Sequence, residues 1–129
     1  MFDIQICTAR HIALVQFRDL SEADFAALDV LGRERQGRDE YDVIYDLTAV
    51  DASALTTDFV SKRGQLPQAF KNRERIYVVP QEDLKLLVRL YAAYQQSGGS
   101  KPPVIVDTLD KALLRLGVHA SDFQPARPS

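Results

Sequence analysis

The chain has 129 residues, 46% of them apolar, and a formal net charge of −2. That length and apolar fraction suit one domain with one core and exclude a disordered chain, while the near-neutral balance offers no bulk attraction to nucleic acid or anionic lipid. Cys7 is the only cysteine, so no intramolecular disulfide can form. Asp3 stands where a signal peptide carries basic residues, and no apolar run approaches the roughly 20 residues of a membrane span. A cytoplasmic protein with no stable membrane insertion is expected.

Phe2, Ile4 and Ile6 alternate with Asp3 and Gln5, the period of a half-buried strand. The run "IALVQF" reads as a second strand, and the short "TARH" between them suits an antiparallel hairpin. A helix should follow from Ser21, with Asp24 in its first turn and Phe25, Leu28 and Leu31 on one face. Arg33, Arg35 and Arg38 suit its C-terminal end, and Gly37 stops it. "YDVIYDL" predicts a central strand over 42–48. The next helix keeps Leu55, Phe59, Leu66 and Phe70 on one face until Pro67 kinks or ends it.

"RIYVVP" is a further strand, stopped by Pro80. The helix over 82–96 presents Leu84, Leu87, Val88 and Tyr91 on one face and Leu86, Leu90, Ala93 and Tyr94 on the neighbouring one. "PPVIVD" closes the set of strands. Thr108 caps a last helix with Leu109, Ala112, Leu113 and Leu116 at helical spacing. The residues divide into a domain over 1–118 and an unpatterned, flexible tail over 119–129. Strands that alternate with helices imply right-handed crossovers and a parallel sheet, which the opening hairpin makes mixed. The expected fold is therefore a single-domain α/β protein with a mixed, mostly parallel sheet, an N-terminal β-hairpin and about four helices.

No residues stand out as catalytic or metal-binding. His11 and His119 are the only histidines, and neither lies at ligand spacing with Cys7. Cys7 reads as a small buried hydrophobe rather than a nucleophile. "SGGSK" follows a helix and precedes two prolines, which suits a helix end and not a phosphate loop. Lys62, Arg63, Lys71, Arg73 and Arg75 form a basic stretch interrupted by Glu74 and read as a solvated loop, so no nucleic acid is expected as partner. No cofactor is implied.

The stretch "YDLTAVDASALTT" is the candidate site. Asp46 ends the central strand, where ligands gather in open α/β sheets. Asp51, Ser53, Thr56 and Thr57 follow in the connection and the helix start, which either receives an anion or is capped by Asp51 or Ser53.

The element order, with "DLTAVDASAL" after the central strand, resembles the STAS superfamily, in its SpoIIAA-like branch of anti-sigma-factor-antagonist-like domains. "YDVIYDL", "RIYVVPQEDLKLLVRLYAAY" and "VIVDTLDKALLRLGV" carry the resemblance over residues 2–118. It implies a STAS-like fold and a non-enzymatic binding or regulatory domain that acts through a protein partner. Antagonists of this kind are phosphorylated on a serine in an Asp-Ser-Ser/Thr-Gly-Leu motif at this turn. Here Ala52 follows Asp51 and Ala54 replaces the glycine, so no conventional phosphoswitch is expected at Ser53. The alternative is a small-molecule or lipid-binding module, with a pocket for a small apolar or anionic ligand near the C-terminal end of the 42–48 strand. The wide apolar arc of the 82–96 helix marks Leu86, Leu90, Tyr91 and Tyr94 as a candidate homodimer interface, unless the helix over 109–116 covers that surface.

Overall fold

A computed structural model describes residues 2–18, 41–51, 58, 60, 62, 74–97 and 103–125. Six strands form one sheet: β1 (Phe2–Cys7), β2 (Ile12–Phe17), β3 (Asp42–Asp46), β4 (Arg75–Val78), β5 (Val104–Val106) and β6 (Gln124–Pro125). Their spatial order is β5-β4-β3-β2-β1-β6. β1 and β2 pair antiparallel, with Ile4 opposite Val15, around a 3-10 turn at Thr8–Arg10. His11 closes that turn in the left-handed region at φ 53°. β2, β3, β4 and β5 then run parallel, with Ile44 beside Leu14 and Ile76. The expected hairpin and three parallel neighbours are all present.

Among the described residues there are two named α-helices, α1 (Glu82–Ser97) and α2 (Leu109–Leu116). The expectation of about four is not matched. The helices read from Ser21 and from residue 53 lie outside the described residues, apart from helical positions 58, 60 and 62.

The pleat sends alternate side chains to two faces, and both are covered, as a parallel sheet requires. On one face Val15, Val43 and Tyr45 pack with Leu84 and Val88 of α1. On the other, Leu14, Ile44, Ile76 and Val78 pack with Ala112 and Leu113 of α2. Val43, Ile44, Ile76 and Val78 are each 0% exposed, which explains why the central strands read as unbroken apolar runs. Full burial of each such side chain contributes about 1.5–3 kcal/mol. α1 and α2 therefore lie on opposite faces, and α2 does not cover the outer surface of α1.

α2 is bounded as its sequence dictates. The Thr108 hydroxyl accepts from the Lys111 N–H at 3.2 Å. Gly117 ends the helix at φ 70°, with Val118 N–H bonded to Leu113 C=O and Gly117 N–H to Leu114 C=O. Beyond it lies the segment over 119–129 that the sequence pattern sets apart as a tail. Ala120–Asp122 form a 3-10 turn, Phe123 is buried among Cys7, Leu14 and their neighbours, and β6 pairs with β1 through Gln5 and Ile6. Two exposed strand residues carry no period, so only the anchoring Phe123 marks this segment. Residues 126–129 lie outside the described residues. No helix among the described residues is long and apolar enough to cross a membrane.

Candidate functional site

β3 ends at Asp46, and the chain turns at once. Val50 N–H bonds Leu47 C=O at 3.0 Å, and Leu47 N–H bonds Val78 C=O at 3.0 Å, which fixes the turn to the end of β4. Asp46 is 7% exposed, and both of its carboxylate oxygens are engaged. Oδ1 accepts from the Thr48 N–H at 3.0 Å and from the Thr48 hydroxyl at 2.5 Å. Oδ2 accepts from Gln16 Nε2, on the neighbouring strand, at 3.1 Å. A short polar side chain that caps its own turn is what aspartate does at such corners. Buried in this way, the carboxylate is a structural acceptor, and Thr48, Ala49 and Asp51 form the exposed rim above it.

A second side chain reaches the same turn from the far side. Gln81 lies between Pro80 and α1, and its carbonyl accepts the first helical N–H, from Lys85, at 2.9 Å. Its Nε2 donates to the carbonyls of Leu47 (3.1 Å), Thr48 (2.9 Å) and Val50 (2.8 Å). Its Oε1 is buried and has no hydrogen-bond partner. Sequence reasoning missed Gln81. Its signal was its position at a strand-to-helix junction beside the chosen strand end, on a residue type that is not a favoured helix cap.

Of the expected site residues, Asp46 and Asp51 stand at this rim, the first buried and the second exposed. Ser53, Thr56 and Thr57 lie outside the described residues.

A charged cluster sits next along the same end of the sheet. Lys85 Nζ lies 2.6 Å from Asp107 Oδ1 and 3.3 Å from Glu82 Oε1, and Lys111 Nζ lies 3.4 Å from Asp107 Oδ2. Asp107 thus ties α1 to α2 across the end of β5. The hydrogen bond from Lys85, reinforced by its charge and that of Lys111, lowers the Asp107 pKa. The same hydrogen bond raises the Lys85 pKa against the opposing effect of desolvation.

On the α1 face, Tyr45, Tyr77 and Tyr91 form a row with ring centroids 4.8 and 5.8 Å apart. Arg75 is 4% exposed and donates to the Tyr91 hydroxyl at 3.3 Å. Burial, with the neighbouring Tyr91 and Tyr45, holds the Tyr77 pKa well above the usual tyrosine value. Arg75 therefore leaves the solvated basic stretch expected for it. Lys62 of that stretch is exposed and pairs with Asp58 at 3.4 Å. Arg63, Lys71 and Arg73 lie outside the described residues.

The structure divides the four expected interface residues. Leu86 is 64% exposed, Leu90 and Tyr94 are half-buried, and Tyr91 belongs to the tyrosine row. Among the described residues no group of three His, Cys, Asp or Glu is placed to hold a metal ion. No family model, curated protein or solved structure matches the chain.

Proposed function

We propose that the chain is a non-enzymatic, STAS-like binding domain that acts through a protein partner and presents the rim at the end of β3 as its recognition surface. One observation carries this reading: the carboxylate at the strand end is fully used in building a turn. Asp46 accepts from Thr48 and Gln16 and is withdrawn from solvent, so it is poorly placed to take or give a proton to a substrate. What remains at the rim is a hydrogen-bonded, solvent-facing turn, and turns held in place before binding suit recognition because little order is lost. The mixed sheet, with its leading hairpin and four parallel strands, supports the STAS-like resemblance at the level of architecture.

The test is isolation of the intact chain from its own cells under native conditions. Any captured protein is then recombined with the chain from purified components. A one-to-one complex is expected, with amides 46–51 slowed in hydrogen exchange. A footprint elsewhere on the chain would remove the rim from this reading. A stoichiometric small molecule released on denaturation, with no protein captured, would favour the small apolar or anionic ligand instead.

A further inference from the structure

The Gln81 amide is over-subscribed in one direction and unsatisfied in the other. A primary amide has two N–H groups and one carbonyl. Here the two N–H groups face three backbone carbonyls, all within 3.1 Å, while the carbonyl oxygen is buried without a partner. Three of the four peptide carbonyls between Leu47 and Val50 are thus held by one side chain from another element, 31 to 34 residues away. Other ties act mainly at the start of the turn: Leu47 N–H to Val78, Gln16 and Thr48 to Asp46, and Val50 N–H to Leu47. The bridge from Gln81 to the carbonyls of Leu47, Thr48 and Val50 can open locally while the start of the turn stays tied to β2 and β4, which gives two arrangements, amide in and amide out. A buried oxygen without a partner destabilises the first of them.

We propose that Gln81 is a latch that sets the conformation of the turn over 46–51 from the start of α1, and that its release frees the turn while leaving the sheet intact. The inference deepens the proposed function, because the latched turn is the rim assigned there to the partner. The latch itself is a property of the free chain. It fails or stands without any partner present.

The test is hydrogen exchange on the free, full-length chain. The amides of Thr48 and Val50 report the turn, and those of Ile44 and Ile76 report the sheet. In Gln81→Met, which keeps bulk and removes the donor, exchange at Thr48 and Val50 should rise at least about tenfold while the sheet amides change little. Rates at Thr48 and Val50 that stay within about twofold of wild type would overturn the latch.

Gln81→Glu is the second variant, and it decides the matter even where Gln81→Met loosens the whole fold. An ionised carboxylate facing three carbonyl oxygens has no proton to donate and is repelled. A protonated carboxyl can donate once. The acceleration relative to wild type should therefore be large at neutral pH and shrink as the pH falls below the ordinary glutamate value of about 4.3. The same acceleration at both pH values would overturn the proposal.

Discussion

At the scale of single residues, Asp46 shows how a strand-end carboxylate can be structural. It is buried and accepts from Thr48 twice and from Gln16 once. Removing it leaves the half-buried amide of Gln16 and the Thr48 N–H without their acceptor. Asp46→Ala should therefore lower stability by about 2–3 kcal/mol in urea denaturation, and Asp46→Asn by about 1 kcal/mol, since the amide keeps one acceptor oxygen. An Asp46→Ala chain as stable as wild type would show that the turn does not need the carboxylate and would return Asp46 to the list of ligand contacts. The position of Asp46 at a strand end was legible in "YDVIYDL". Its state was not, because Gln16 lies 30 residues away and is brought beside it only by the parallel pairing of β2 and β3. Arg75 fails in the same way. The residues that precede it are charged or polar, and its spatial neighbours are the tyrosines of β4 and α1.

At the scale of elements, Asp107 joins α1 to α2 at the end of β5, through Lys85 and Lys111. The sign of its pH dependence follows from the direction of its shift. The folded-state pKa lies below the ordinary aspartate value of 3.8, so the stabilisation is complete above that value and is lost as the pH falls through the lower folded value. Lys85 is raised above 10.5, so its share is complete below that value and is lost as the pH rises through the higher folded value. Asp107→Asn should thus lower the Tm by a constant amount across neutral pH, and the gap to wild type should close below about pH 4. The gap should also narrow with added salt, because Asp107 and Lys111 are both well exposed. A gap that persists at strongly acidic pH would rule out the ion pairs as its origin. The five expected strands, the Thr108 cap and the two described helices were legible because each carries its own period or cap. β6 was not, because two residues have no period and their pairing depends on a single buried phenylalanine, Phe123.

At the scale of the whole molecule, both faces of the sheet are covered, and the outer surface of α1 faces away from both. Leu86, Leu90 and Ala93, spaced by four and three residues, form a narrow apolar seam, with Leu86 64% exposed. Glu82 and Arg89 lie seven residues apart, so they share one flank of that seam. If two copies of α1 cross antiparallel about an axis near Leu86, the flanks meet and Glu82 of each faces Arg89 of the other. On this charge complementarity we propose a second copy as the occupant of the seam. An exposed ion pair contributes only about 0.2–1 kcal/mol, so the pairs set orientation, while the buried leucines supply the attraction. A single helix seam buries less than the roughly 800 Å² per partner of a standard interface, so association should be of micromolar strength. Sedimentation velocity of the full chain at micromolar concentration should show a dimer. Leu86→Asp should convert it to monomer, as its exposed side chain can be changed without disturbing the core. Arg89→Glu should weaken the dimer, and adding Glu82→Arg in the same chain should restore it. A wild-type monomer would exclude this interface, and so would a dimer whose affinity is unaltered by Leu86→Asp.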